Sequence, residues 1–148
     1  RDAFDEAITG QLESHGVELI VLAGFMRVLQ PAFVRRWRGR LLNLHPALLP
    51  SFAGDSGIRD AIDYGVKVTG VTVHFVDEGV DTGPVIAQMP VFVKPDDTEE
   101  TLAARIHAVE HRIYPEVVRA VVEGRIRLEG RRVRVEPADI RWDAVRPR

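Results

Sequence analysis

Asn43, His45 and Asp81 are the side chains whose types and spacing best suit acyl-transfer chemistry. Asn43 and His45 are two positions apart in an apolar segment, so a β-strand would place both on one face. A histidine titrates at about pH 6.5, and a neighbouring carboxylate such as Asp81 raises that pKa, which would supply a general acid at neutral pH. The Asn43 amide could donate to a developing oxyanion, an interaction worth about 3 to 4 kcal/mol in a protease.

Direct attack by a substrate amine is the simplest mechanism for such a set of residues. The chain contains no cysteine. Ser51 and Ser56 are loop residues without the Gly-x-Ser-x-Gly context of an activated serine. A covalent enzyme intermediate is therefore not required.

Each candidate also has an ordinary structural interpretation. A histidine at a strand end is commonly a hydrogen-bonding residue, and an aspartate in a glycine-rich turn commonly serves the turn. His74, inside a strand, is interpreted as structural. His107 and His111 have the i, i+4 spacing of helical metal ligands, but no third ligand is placed beside them, so no metal is predicted. The five arginines at 125–134 are typical of an exposed charged hairpin rather than a phosphate site.

Apolar strands precede the polar residues and must position them. Residues 17–23 have the composition of a strand buried on both faces, and residues 40–45 and 68–76 form two further strand patterns. Helical patterns alternate with these strands, which predicts an α/β fold with a mostly parallel sheet and flanking helices. Ligands of such sheets bind outside the carboxyl ends of the strands. The loop at 24–27, the pair Asn43 and His45, and the loop at 77–83 are therefore expected to converge on one crevice.

The other predicted elements follow from apolar periodicity and from cap and turn residues. They are a helix around 4–12, a short helix after Pro31, a helix around 58–64, a strand at 85–93 whose Pro90 indicates an edge or a bulge, a long helix capped by Asp97 or Thr98 and bent at Pro115, a hairpin at 125–135, and a poorly packed tail from about 136.

Composition bounds the class of protein. The chain has 148 residues and a formal net charge of −2, which favours one domain and gives no bulk attraction to nucleic acid or to an anionic membrane. No apolar run has the length of a membrane span, and the N-terminus lacks a signal-peptide pattern. A cytoplasmic protein is expected. Because the chain begins without methionine and inside an amphipathic pattern, we expect it to be part of a longer gene product.

Four segments carry a resemblance to a known family. Residues 43–52 read Asn-Leu-His-Pro-Ala-Leu-Leu-Pro-Ser-Phe, and the others lie at 22–29, 71–84 and 110–115. In these segments the sequence resembles the glycinamide ribonucleotide formyltransferase family, with a likeness that extends to about residue 135. The resemblance implies a Rossmann-like formyltransferase fold, with a single catalytic domain at 1–148 and a flexible tail at about 136–148. It also implies transfer of the formyl group of 10-formyltetrahydrofolate to the amine of glycinamide ribonucleotide, in purine biosynthesis.

The resemblance assigns roles to individual residues. Asn43 would hold the formyl oxygen, His45 would protonate or polarise a tetrahedral intermediate, and Asp81 would raise the histidine pKa and order a water that relays protons. Glycinamide ribonucleotide would meet His107 and Glu110, and no metal is implied. The formyl donor would contact residues from three parts of the chain: Arg1, Met26, Arg27, Val28, Leu29, Asn43, Asp77, Glu78, Gly79 and Val80.

The sequence departs from the family pattern in two places. The family begins with a strand and a glycine-rich loop that cradles the substrate phosphate on backbone N–H groups, and this sequence contains no such segment. Ser56 stands where the family usually has histidine, and Ala53 where it has proline. Both replacements lie in the loop after the His45 strand.

Three other functions stay open. A 10-formyltetrahydrofolate hydrolase would use the same Asn, His and Asp but give the formyl group to water. Methionyl-tRNA formyltransferase has a different loop after the histidine and a further RNA-binding domain, for which the C-terminal part of this chain is too short. A non-catalytic folate-binding domain is the alternative outside enzymes. A homodimer is also left open.

Overall fold

The computed structural model describes residues 2–25 and 27–136. Outside these ranges lie Arg1, Met26 and residues 137–148. The predicted folate contacts of Arg1 and Met26 and the predicted poorly packed tail therefore concern residues that the structure does not describe. The helices are α1 (Asp2–Ser14), α2 (Pro31–Arg36), α3 (Gly57–Tyr64) and α4 (Glu99–Val122). The strands are β1 (Ile20–Val21), β2 (Leu41–His45), β3 (Val68–Phe75), β4 (Val85–Phe92), β5 (Ile126–Glu129) and β6 (Arg132–Val135).

The main sheet is mixed. Its order is β1-β2-β3-β4, with a parallel β1–β2 pair and antiparallel β2–β3 and β3–β4 pairs. The predicted α/β class with flanking helices is confirmed. The expected predominance of parallel pairs is corrected, because the short turn between β3 and β4 reverses the chain, whereas a parallel pair needs a longer crossover such as the one from β1 through α2 to β2.

The first strand differs from its prediction. Residues 17–23 were expected to be buried on both faces, but β1 contains only Ile20 and Val21, and Val21 is 40% exposed. Within the described chain β1 pairs with β2 alone. An edge strand of this kind does not gain the two-sided burial that its apolar sequence suggests.

The core lies between α4 and one face of the sheet. Leu102, Ile106 and Ile113 on α4 are fully buried against apolar residues of β3 and β4, which explains the i, i+4, i+11 spacing of these apolar residues in the helix. Tyr114 also points inward, and its hydroxyl donates to Leu22 O at 2.5 Å and Leu42 O at 3.2 Å. Burial raises the pKa of Tyr114. The opposite face carries a smaller apolar cluster, in which Leu41 packs against residues of α2, and the polar residues further along β2 and β3.

The predicted hairpin is confirmed as β5 paired antiparallel with β6. Its apolar residues pack against the main core, and the Arg131 guanidinium donates to the Thr82 carbonyl in the β3–β4 turn. The hairpin therefore supports the turn that carries Asp81. None of the helices in the described part of the chain is apolar over a length that would cross a membrane.

Candidate active site

Neighbouring strands bring four polar side chains to one face of the sheet. Asn43 lies opposite His74, and His45 lies opposite Thr72, across the antiparallel β2–β3 pair. Residues directly opposite each other in such a pair point to the same face. His45 is buried and Asn43 is half-buried. The Asn43 amide is therefore accessible beside an enclosed imidazole.

Both nitrogens of His45 face oxygen atoms. Nε2 donates to the Phe52 carbonyl oxygen at 2.8 Å, and Nδ1 lies 3.5 Å from Asp81 Oδ2. A carbonyl and a carboxylate only accept hydrogen bonds, whereas an imidazolium donates from both nitrogens. The ring of His45 is therefore held between two hydrogen-bond acceptors.

The Asp81 carboxylate lies between two imidazoles. One oxygen, Oδ2, accepts from the Gly54 backbone N–H at 2.8 Å and faces His45, while Oδ1 lies 3.8 Å from His74 Nε2. Asp81 has a φ of 53°, a conformation that aspartate tolerates better than most residues. The β3–β4 turn thereby directs this carboxylate onto the sheet face that carries His45.

Gly83 allows the turn to lie close to β3. A Cβ atom at this position would be 1.6 Å from the Phe75 carbonyl oxygen, so no other residue fits without moving the backbone. The Phe75 N–H also donates to Pro84 O at 2.9 Å. This close approach fixes the end of the segment that carries Asp81.

His74 belongs to the site, although the sequence alone suggested a purely structural residue. Its Nδ1 donates to the Phe75 carbonyl oxygen at 2.8 Å, while Nε2 is buried and makes no hydrogen bond within the described residues. Burial lowers the pKa of His74, partly opposed by the Phe75 carbonyl and by Asp81. The neutral ring therefore turns an acceptor nitrogen toward Asp81. Its position opposite Asn43 depends on strand register, which was not predicted from the sequence.

Apart from Asn43, the described residues expected to contact folate lie in two largely exposed segments. In the first, the Arg27 guanidinium stacks over the Phe4 ring at 4.2 Å, Val28 is exposed, and Leu29 packs against the α2 cluster. In the second, Val80 is exposed. An ion pair at 3.2 Å joins Arg35 of α2 to Glu78, which links the second segment to the helix that follows the first.

Asp77 has an internal role in the second segment. Its Oδ1 accepts from the Gly79 N–H at 3.0 Å and from the Thr82 hydroxyl at 2.5 Å. These two bonds shape the turn from inside. The backbone and apolar side chains of this segment are left as the groups that could face a ligand.

Glu110 lies within electrostatic reach of the site. It is half-buried on α4, and burial raises its pKa, opposed by the imidazoles of His107, His111 and His45. His107, the other residue expected to bind the ribonucleotide, is exposed on the same helix. Among residues 2–25 and 27–136, no three His, Asp or Glu side chains come together as a metal site would require.

The two replaced residues of the loop, Ala53 and Ser56, are sequence neighbours of Phe52 and Gly57, which lie against His45. Ser56 occupies the N-cap position of α3 without a capping side-chain bond, and its hydroxyl donates to Asp55 Oδ1 at 3.3 Å. Ala53 is exposed. The next residue after Ser56 is Gly57, where an added Cβ would lie 3.4 Å from His45 Nε2. The loop is therefore folded against the imidazole with serine and alanine at these positions.

Comparison with known proteins gives a consistent family. Residues 1–118 match the family described as formyl transferase. Phosphoribosylglycinamide formyltransferase of Mycobacterium tuberculosis H37Rv is 52% identical over 141 residues, which cover 91% of this chain and 66% of the relative. The chain thus spans slightly less than two thirds of that protein's length.

Solved structures agree with the sequence comparison. Glycinamide ribonucleotide transformylase 1 from Symbiobacterium toebii superposes with a TM-score of 0.89 at 51% identity, covering 91% of this chain and 64% of that one. A formyltetrahydrofolate deformylase from Pseudomonas syringae pv. tomato superposes with a TM-score of 0.83 at 31% identity, covering 88% and 44%. The fold is therefore similar to that of proteins named for two different fates of a formyl group.

Proposed function

This chain belongs to the formyl transferase family, and we propose that it is the catalytic part of an enzyme that transfers the formyl group of 10-formyltetrahydrofolate to the amine of glycinamide ribonucleotide. The acceptor is the one named by relatives that are about half identical over the aligned residues, and formyltetrahydrofolate is named by the deformylase of similar fold. The reaction would be a step of purine biosynthesis.

The observation that carries the proposal is the setting of His45. Its imidazole is held between the Phe52 carbonyl and the Asp81 carboxylate, and the half-buried Asn43 amide lies on the same face of the sheet. A donor for an oxyanion beside a proton-carrying imidazole is what transfer of an acyl group needs.

The proposed reaction proceeds by direct attack. The substrate amine forms a bond to the formyl carbon, and Asn43 donates to the oxygen that becomes negative. His45 gives a proton to the folate nitrogen as its bond to the formyl carbon breaks. The attacking amine loses a proton, which a water ordered by Asp81 passes back to His45, so that the histidine is protonated again and no covalent enzyme intermediate forms.

The binding residues form the second part of the proposal. Glycinamide ribonucleotide would lie near α4, where the raised pKa of Glu110 makes its carboxyl group a ready partner for a substrate hydrogen-bond donor or acceptor, with His107 at its exposed side. Folate would lie along the segments at 26–29 and 77–80 and would also contact Arg1 and Asn43. Val28 and Val80, both exposed, supply apolar surface for the flat ring system.

Formyl transfer by His45→Ala tests the proposal. Product formation is followed with 10-formyltetrahydrofolate in the presence and absence of glycinamide ribonucleotide. We expect the unchanged protein to require the ribonucleotide and His45→Ala to lose about 100-fold or more of the rate, the usual contribution of a general acid or base, while folate affinity is retained. His15→Ala is the matched control, because His15 is exposed in the turn just after α1. Full activity in His45→Ala would contradict the assignment.

The deformylase resemblance supplies a second candidate, in which water replaces the amine. Asn43, His45 and Asp81 could also serve that reaction. The structural similarity to the deformylase, at 31% identity, supports this second candidate. Folate deformylation at the same rate with and without the ribonucleotide would favour this hydrolase.

A further inference from the structure

The loop that follows His45 is tied to the sheet by one buried hydroxyl group. Thr72 is fully buried on β3. Its hydroxyl donates to Ala47 O at 2.7 Å and accepts from the Leu49 N–H at 3.1 Å. The loop is thus fastened two and four residues after His45.

Gln88 completes the fastening from the next strand. Its Nε2 donates to Leu49 O at 2.8 Å and to the Thr72 hydroxyl at 3.1 Å. Thr72 lies opposite His45 on β2 and opposite Gln88 on β4. A row of three polar side chains across three strands therefore begins at the candidate catalytic histidine.

We propose that Thr72 and Gln88 are positioning residues, which hold the loop so that the Phe52 carbonyl meets His45 Nε2. The chain leaves β2 at His45, is fixed at Ala47 and Leu49, and returns Phe52 to the imidazole at 2.8 Å. Only Pro50 and Ser51 separate Leu49 from Phe52, so a shift at Leu49 is transmitted to the Phe52 carbonyl. The orientation of the His45 ring thus depends on Thr72 and Gln88, neither of which contacts it by a hydrogen bond within the described residues. The catalytic consequence of this inference rests on the proposed function.

Another buried threonine of the same strand shows how different the Thr72 setting is. Thr69 lies on β3, is almost fully buried, and its hydroxyl has no hydrogen-bond partner among the described residues. Replacing Thr69 by valine removes a hydroxyl that makes no hydrogen bond among the described residues. The same replacement at Thr72 removes the hydrogen bonds to Ala47 O, the Leu49 N–H and the Gln88 amide. The two substitutions are chemically identical and differ only in this connection.

The test compares Thr72→Val, Thr72→Ser, Gln88→Leu and Thr69→Val with the parent protein, at a temperature where each is folded. For Thr72→Val we expect kcat to fall about 10- to 100-fold with KM for folate within about 3-fold, the pattern of a misoriented catalytic group. Thr72→Ser keeps the hydroxyl and should restore kcat to within about 3-fold of the parent. Gln88→Leu should show a smaller loss of kcat, and Thr69→Val should behave as the parent.

A spectroscopic measurement separates this inference from the proposed function. The ¹⁵N shift and hydrogen exchange of His45 Nε2 report its bond to Phe52 without requiring turnover. We expect faster Nε2–H exchange in Thr72→Val and Gln88→Leu but not in Thr69→Val. If the parent protein does not transfer formyl groups, the proposed function is wrong. The NMR measurement then tests by itself whether Thr72 and Gln88 position the loop against His45. An unchanged His45 signal in folded Thr72→Val and Gln88→Leu would overturn the inference. Gln88→Leu, at the sheet edge, serves if Thr72→Val does not fold.

Discussion

Backbone conformation is unusual at two residues beside His45. Phe52 and Asp81 have φ values of 52° and 53°, the positive values recorded for residues other than glycine in the described chain. A non-glycine residue in this region costs on the order of 1 to 3 kcal/mol and persists only where its surroundings enforce it. Here the Phe52 carbonyl is bonded to His45, and the Asp81 carboxylate is bonded to the Gly54 N–H. The two residues with strained backbones are therefore the same two residues that contact the His45 ring.

The buried His74 makes a prediction for acid stability. Burial lowers the pKa of His74 below its ordinary value of 6.5, so the unfolded chain takes up a proton that the folded chain resists. Its contribution to stability is fully present above about pH 6.5 and is lost as the pH falls toward the lowered pKa. The free energy of unfolding of His74→Leu should therefore decline less steeply between about pH 7 and about pH 5 than that of the parent. Urea titrations across this range measure the slope. A parent-like slope in His74→Leu would contradict the prediction, and His107→Leu, which replaces an exposed histidine, is the control.

Side-chain alternation predicts which residues share a face, but not which strand lies beside them. The two-residue spacing of Asn43 and His45 was sufficient to predict a common face. The placement of His74 opposite Asn43 required the register of β3 on β2. The residues at 68–76 do not determine that register by themselves, because packing of the whole sheet sets it.

At the scale of elements, α4 begins with an unusually complete cap. The Thr98 hydroxyl accepts from the Thr101 N–H at 3.2 Å, and the Thr101 hydroxyl accepts from the Thr98 N–H at 2.9 Å. The neighbouring Asp97 binds Arg105, which holds the pKa of Asp97 well below its usual range. The helix that covers the core therefore has a fixed starting point.

Two N-cap substitutions test how much this cap contributes. Thr98→Ala removes one of the two reciprocal bonds and should lower the free energy of unfolding by about 1 kcal/mol, the usual cost of losing an N-cap side chain. Ser56→Ala at the N-cap of α3 should cost much less, because Ser56 makes no capping bond. Chemical denaturation of both variants gives the comparison. Equal losses of unfolding free energy in the two variants would contradict the prediction that the Thr98 capping bonds stabilise α4.

Most elements were predictable because each carries its own local signal. The apolar periodicity of α4 and a cap at Asp97 or Thr98 predicted that helix, whose N-cap is Thr98. Pro90 indicated an edge or a bulge, and its strand β4 lies at the edge of the described sheet. The extent of β1 and the strand directions were not predictable. Both depend on which strands lie alongside, and an apolar run reads the same in an edge strand and in a central one.

At the scale of the whole molecule, Tyr114 joins three elements. Its hydroxyl reaches from α4 through the core to the carbonyl of Leu22, just after β1, and to that of Leu42 on β2. These contacts span 92 and 72 positions of sequence. The ring fills space in the core, and the hydroxyl satisfies backbone groups at the parallel pair of strands.

Removing this single oxygen should weaken the whole fold. Tyr114→Phe keeps the ring but removes the hydroxyl that donates to Leu22 O, while Leu42 O still accepts from the Leu22 N–H at 2.8 Å. We expect a loss of about 1 to 3 kcal/mol in the free energy of unfolding. Tyr64→Phe is the control, since Tyr64 is 80% exposed. Urea unfolding followed by circular dichroism measures both. A Tyr114→Phe variant as stable as Tyr64→Phe would mean that water replaces the lost donor.

The contact between Gly54 and Asp81 joins segments that are 27 residues apart, and it has a consequence for inheritance. A recombination event with a breakpoint between residues 56 and 80 would combine a histidine loop from one ancestor with an aspartate turn from another. The loop that contains Gly54 and the turn that contains Asp81 would then come from two different proteins, and their backbones would no longer be matched to each other. Exchange among related genes should therefore be tolerated better outside this interval than within it, so that the two segments descend together.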